Sequence, residues 1–238
     1  MELPLGSDPR TDRLRRIQAA LIARFGRIIR PPDKRRSPEW ALVQGVIGAQ
    51  TKTAISNAAT DTLLARFESW EAVAAAPLEP LAEILARQSF PDQSARRLRD
   101  CLNAIIAERG AVDLRHLSNL PTDAAMAWLE QLPGVGRKNS AGVMNASTFD
   151  RRAMVIDGHH RRTMQRIGIT QAKADTVKTY RTLMPIVPEE WSAADMDEHH
   201  LLLKKLGQSY CRPSRMDCGS CPVQQNCDTG RQSQAGRT

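Results

Sequence analysis

Two kinds of chemistry can be read from side-chain type and spacing. The first sits in Leu132-Pro133-Gly134-Val135-Gly136-Arg137-Lys138, between two segments that read as helices. Glycines at 134 and 136 flanking one apolar residue make a tight hairpin, whose backbone must take positive φ or come close to a ligand. The turn also opens a helix, and the N–H groups and positive dipole end of a helix start suit a phosphate. Lys138 then stands in the first turn of that helix, an amine beside whatever the hairpin holds. Taken alone, these residues fit equally an ordinary helix–turn–helix connection with a surface lysine.

The second is thiolate chemistry. Cysteines fall at 101, 211, 218, 221 and 227. Cys101 stands alone in a helical pattern and reads as a small buried hydrophobe. The others are spaced Cys211-x6-Cys218-x2-Cys221-x5-Cys227. Four thiols crowded into one loop of a chain without secretory features read as ligands rather than disulfides. Zinc sites usually come as two close pairs around a longer finger, whereas here there is a single CxxC and irregular gaps. A cubane-type iron–sulfur cluster wrapped by the loop suits this pattern better, with zinc left open. Arg212 and Arg215 lie between the first two cysteines. A rigid loop would offer them to a phosphate backbone, or simply to solvent.

The elements that must position these groups are helical. Between residues 10 and 30, arginines alternate with Leu14, Ile17, Leu21, Ile22, Phe25 and Ile28 at helical spacing, and Pro31-Pro32 ends the pattern. Ser37-Pro38-Glu39 reads as an N-cap, a first-turn proline and a first-turn acid. Further helices are expected over about 51–67, 69–76, 78–87, 93–109, 137–147, 157–167, 172–184 and 194–206. Thr122 or Asp123 would cap the helix leading into the hairpin, and Asp157 the helix that follows it. Only Ala153-Met154-Val155-Ile156 is strand-like, and it is too short to build a sheet. The expected class is all-α.

Bulk properties agree with a nucleic-acid partner. The net charge is +8 and the isoelectric point about 9.7, an excess that suits a polyanion. Aromatic residues make up only 4%, which argues against a base-stacking sheet. No apolar run reaches the ~20 residues that span a bilayer. Met1-Glu2-Leu3-Pro4-Leu5 lacks the charged and apolar regions of a secretory leader, so the expected location is the cytoplasm or nucleoid.

The hairpin, the downstream Val155-Ile156-Asp157-Gly158-His159 and the four-cysteine loop occur in one order. Together they resemble the endonuclease III branch of the helix-hairpin-helix DNA glycosylases, over roughly residues 38 to 228. Gln50, in Gly48-Ala49-Gln50-Thr51, falls where that family has its Ser-Ala-Gln loop. His199-His200-Leu201 looks like the family's lead-in to the cysteines. The resemblance implies a two-lobed, all-helical enzyme. Residues 31–150 would form a six-helix domain with the helix-hairpin-helix at about 122–147. Residues 1–30 and 151–238 would form a second domain holding a [4Fe-4S] cluster on Cys211, Cys218, Cys221 and Cys227. A damaged base in duplex DNA would be flipped into the cleft between them by a monomer. DNA contacts would come from Gln50, Phe90, Leu132, Gly134, Val135, Gly136, Arg137, His159, Arg212 and Arg215.

The residues suit that chemistry. Breaking an N-glycosidic bond develops positive charge on the sugar, which a carboxylate such as Asp157 stabilises. An amine beside the anomeric carbon, Lys138, can attack C1′ and form a Schiff base, after which β-elimination cleaves the strand. The implied activity is a bifunctional glycosylase and abasic-site lyase acting on oxidised pyrimidines. A monofunctional glycosylase for mispaired or alkylated bases, or a non-catalytic DNA-binding module with a structural metal site, are the competing readings. Three departures from the family pattern bear on substrate range. Thr53 replaces the usual acid three residues after the glutamine. The loop that wedges the opposite strand reads Ser89-Phe90-Pro91-Asp92-Gln93-Ser94-Ala95. Gly158 replaces the usual threonine.

Overall fold

The helix signals become capped helices in the computed structural model, which describes residues 8–235. The Met1–Leu5 segment discussed above lies outside the described residues. In chain order the helices are α1 (Pro9–Phe25), α2 (Pro38–Ile47), α3 (Thr53–Phe67), α4 (Trp70–Ala75), α5 (Leu78–Ile84), α6 (Pro91–Arg109), α7 (Thr122–Leu129) and α8 (Arg137–Ala146). They are followed by α9 (Gly158–Ile167), α10 (Thr176–Leu183), α11 (Ala193–Ser209) and α12 (Asp228–Ala235). Among the described residues there is no sheet, only isolated bridges between Arg36 and Ser147 and between Cys211 and Met216. No helix is long and apolar enough to cross a membrane.

Capping fixes most starts. The Ser37 side chain accepts from the Trp40 amide, Asp157 from His160, and Asp175 from Lys178, while Ser192 and Asp195 form a reciprocal capping box. Several expected boundaries are corrected. The first helix stops at Phe25, because Gly26 takes φ +75° and its amide closes onto Ile22, well before Pro31-Pro32. Neither Thr122 nor Asp123 caps α7; Pro121 occupies the cap position without a side-chain bond. The sixth helix begins at Pro91, which takes the first helical position where its missing N–H costs nothing. The tenth starts only at Thr176, after Asp175. Residues 153–156 are buried but pair with no strand.

The chain divides into two compact units, Pro32–Arg151 on the one hand and Met1–Pro31 with Arg152–Thr238 on the other. The first holds α2 to α8. Its core is the apolar face of α2 (Leu42, Val43, Val46, Ile47), packed on Leu98, Leu102 and Ile105 of α6 and on Val143 and Met144 of α8. The second holds α1 and α9 to α12. Leu14, Ile17 and Leu21 of α1 pack on α11, which contributes Leu202, Leu203 and Leu206. Burying each such aliphatic side chain contributes roughly 1.5–3 kcal/mol. On α11, Gly207 lets α9 come close, since a Cβ there would lie 2.8 Å from His159.

Candidate active site

The hairpin is built by α7 and α8 within the unit 32–151. Leu132 and Val135 point inward, at 6% and 7% exposure, and the Val135 amide closes the turn onto Leu132. Gly134 has φ +79°, so the first glycine is demanded by the backbone. Gly136 has an ordinary φ of −115°, and a Cβ added there would meet nothing within 4 Å. Its side-chain-free surface therefore serves approach from outside, not the turn itself. Lys138 follows as the second residue of α8, half-buried.

Arg137 is held internally. Its Nε lies 2.8 Å from Glu130 Oε1, its Nη2 donates to Oε2 at 3.1 Å, and Ser140 Oγ donates to Oε1 at 2.6 Å. This ion pair clamps the end of α7 to the start of α8. Its guanidinium is thereby engaged within the hairpin, with the side chain only 15% exposed.

The same unit brings two expected contacts together. Gln50 is exposed and sits at φ +53°, a left-handed conformation that costs a non-glycine residue about 1 kcal/mol or more. Ser89 Oγ donates to its carbonyl at 2.9 Å. The next residue, Phe90, is one of three large hydrophobic side chains that stand exposed among the described residues, at 48%. Both loops therefore share one hydrogen-bonded edge. Because Pro91 already starts α6, the expected 89–95 loop is reduced to Ser89 and Phe90.

In the other unit, Asp157 caps α9 and accepts the His160 amide at 2.8 Å. Burial pushes its carboxyl up. His200, the His160 amide and the rings of His160 and His159 outweigh this and hold it below the ordinary carboxylate value. A Cβ at Gly158 would meet nothing within 4 Å, so that departure removes a side chain from the helix start without relieving a clash. His159 is turned to internal partners: Arg162 Nη2 lies 3.1 Å from its Nδ1, and its ring packs on Gly207.

Behind Asp157 lies a set of buried histidines. His160 donates from Nδ1 to the Val155 carbonyl at 3.0 Å, and His199 from Nδ1 to Gln18 Oε1 at 2.7 Å. Their rings are 5.6 Å apart. Burial depresses both, His160 to about 4 and His199 well below its ordinary value. Each is thus neutral in the fold but takes up a proton in the unfolded chain below its ordinary value of about 6.5. Stability is complete above that pH and is lost as pH falls towards 4. For His160 alone the loss approaches about 3 kcal/mol. Urea midpoints measured from pH 7.5 downward are expected to fall steadily, and His160→Gln to flatten the profile. A wild-type midpoint that is level across this range would refute the assignment.

The expected cysteine loop is carried by α9. Arg162 Nε donates to the Cys211 carbonyl at 2.9 Å and its Nη2 to the Gly207 carbonyl at 3.0 Å. Arg166 reaches the Cys211 sulfur at 3.3 Å and the carbonyls of Arg212 and Pro213 at 2.7 and 3.0 Å. Sequence reading missed both arginines, because backbone acceptors leave no signature in residue types. Arg212 and Arg215 stand exposed on the turn they hold, where the Arg212 amide closes onto Arg215. The four cysteines are not gathered about one point. No group of three or more Cys, His, Asp and Glu among the described residues is arranged to hold a single metal ion. They stand instead around the wall of one cavity, of about 360 Å³ including its open mouth.

Residues 43–189 match the family described as HhH-GPD superfamily base excision DNA repair protein. Endonuclease III of Bacillus subtilis (strain 168) is 30% identical over 196 residues, spanning 82% of this chain and 83% of its own. The chain belongs to the endonuclease III family. Family membership makes it a base excision repair enzyme, a DNA glycosylase with abasic-site lyase activity. The fold agrees: a trapped endonuclease III–DNA covalent intermediate is similar with a TM-score of 0.75 at 24% identity, covering 94% of this chain and 98% of that one. A plant relative, the DNA glycosylase/AP lyase ROS1 of Arabidopsis thaliana, is 23% identical over 66% of this chain and 12% of its own length.

Proposed function

We propose that this protein removes oxidised pyrimidines from duplex DNA and then cleaves the strand at the abasic site. The observation that carries this reading is Lys138, an amine in the first turn of α8 directly behind the hairpin. In the proposed reaction Nζ attacks C1′ as the N-glycosidic bond breaks, and the base departs with the bonding electrons and takes up a proton. Ionised Asp157 stabilises the positive charge that develops on the sugar. The sugar ring then opens, the C1′–O4′ bond breaking as O4′ takes up the proton lost from Nζ, which leaves an iminium at C1′. The iminium acidifies the 2′ proton, and its loss to water expels the 3′ phosphate. Gly134 and Gly136 would place the backbone close to a phosphate, and Gln50 and Phe90 would occupy the space of the flipped base and wedge the opposite strand. One chain carries all these groups, so a monomer suffices. The test is borohydride trapping on duplexes containing thymine glycol or an abasic site. Base release with no covalent adduct would favour a monofunctional enzyme, and neither product would refute glycosylase function.

A [4Fe-4S] cluster on Cys211, Cys218, Cys221 and Cys227 completes the proposal. Burial pushes the thiol of Cys221 up to about 11 and that of Cys227 above its usual value, and the neighbouring cysteines push in the same direction. Four thiolates there require compensating positive charge. Donors are in place, from Arg166 to the Cys211 sulfur at 3.3 Å and from the Gly230 amide to the Cys227 sulfur at 3.4 Å. A multi-iron cluster suits thiols spread around a cavity better than one zinc ion does. When bound, it would make the Cys211–Cys227 loop rigid. Metal analysis of anaerobically purified protein is expected to give about four iron per chain and no stoichiometric zinc. Cys221→Ser should lower the iron content and loosen the loop. Zinc in place of iron would overturn the cluster reading without touching the glycosylase chemistry.

A further inference from the structure

The hairpin has a second cation beside it, one that no sequence motif marks. Arg137, the motif's own arginine, is spent on Glu130, and its side chain is only 15% exposed. Arg97, on α6, lies along the turn. A Cβ placed on Gly134 would sit 3.6 Å from both Cβ and Cδ of Arg97 and 3.7 Å from its Cγ. The aliphatic stem therefore runs against the hairpin glycine, and Arg97 as a whole is half-buried. Among the described residues Arg97 forms no ion pair, unlike Arg137.

We infer that Arg97 is the phosphate-binding cation of the hairpin, in the role the sequence assigns to Arg137. A guanidinium fork can span two oxygens of one phosphate, and packing of the stem reduces the entropy lost on contact. Since a phosphate carries no base identity, Arg97 would add affinity on damaged and undamaged duplex alike. The inference rests on the DNA-binding reading proposed above.

Salt-dependent binding tests it. Wild type, Arg97→Ala, Arg97→Lys and Arg109→Ala are titrated with undamaged duplex across a salt series, and each is tested for borohydride trapping on an abasic duplex. Each phosphate contact contributes about 0.9 to the slope of log K against log salt. Arg97→Ala is expected to lose about one unit of slope and several-fold in low-salt affinity, while Arg97→Lys keeps most of the slope. Arg109→Ala, at the opposite end of α6, should leave both unchanged. Circular dichroism on each variant confirms that α6 persists. A slope unchanged by Arg97→Ala, or reduced equally by Arg109→Ala, overturns the inference. Normal wild-type binding without a trapped adduct overturns the lyase reading and leaves Arg97 standing. Failure of wild type to bind duplex DNA overturns both.

Discussion

Lys138→Ala is expected to give a folded protein that binds duplex DNA and yields no borohydride-trapped adduct. The hairpin does not depend on the lysine, because Glu130 ties Arg137 and Ser140 together across the turn and Gly134 supplies the positive φ. Alanine is also the best helix former, so the stability change should stay within about 0.5 kcal/mol. The informative partner is Lys138→Arg. It keeps the positive charge but cannot form a Schiff base, so a phosphate anchor would survive this change and a nucleophile would not. Binding retained with the adduct lost in both variants identifies Lys138 as the nucleophile. An adduct that persists in Lys138→Ala would place the covalent chemistry on another amine.

Asp157→Asn separates charge from architecture. Asparagine caps helices as well as aspartate does, so the bond to the His160 amide and the start of α9 should persist. The loss is then purely electrostatic, and base excision is expected to slow by about 10²- to 10³-fold. Cleavage of a pre-formed abasic site should suffer much less, since the glycosidic bond is already broken. Asp157→Ala should add about 1 kcal/mol of destabilisation from the lost cap. Because its surroundings hold Asp157 below the ordinary carboxylate value, the carboxylate stays ionised through neutral and mildly acidic pH. It loses its charge, and with it this contribution, only as pH falls through that lowered value. Equal excision rates for wild type and Asp157→Asn would leave Asp157 as a helix cap alone.

The sequence exposed those groups whose chemistry is written in residue type. Lys138 and Asp157 lie beside a glycine hairpin and at a cap position, and the four cysteines carry their own spacing. What it hid depends on partners brought together by folding. Arg137 reads as a phosphate contact until the hairpin folds Glu130 back onto it. Ser89 gains meaning only beside the strained Gln50. Helix α12 lacks an apolar stripe and is held instead by a bond from Thr229 Oγ1 to the Arg166 carbonyl and by the ion pair between Asp228 and Arg13. The end of α1 was misplaced because two stop signals compete, and the glycine acts before the prolines.

That early stop has a consequence for where this protein can be cut. Beyond Gly26 the chain runs on without helix to Pro31. It places Arg27 Nε 2.9 Å from Glu198 and Arg30 Nε 3.3 Å from Asp197, two acids of α11 whose side chains are 2% and 5% exposed. The Ile28 amide adds a bond to Glu198 at 2.7 Å. Residues 27–30 thus act as the counterion strap of a helix some 170 positions downstream. The two carboxylates are buried while Arg27 and Arg30 stay 54% and 35% exposed, so loss of the strap would leave two buried acids without these counterions. The region matched by the family, 43–189, contains neither the strap nor any part of α11. Expression boundaries drawn at those limits would remove the strap and its helix together, so the limits of similarity fall inside the folding unit.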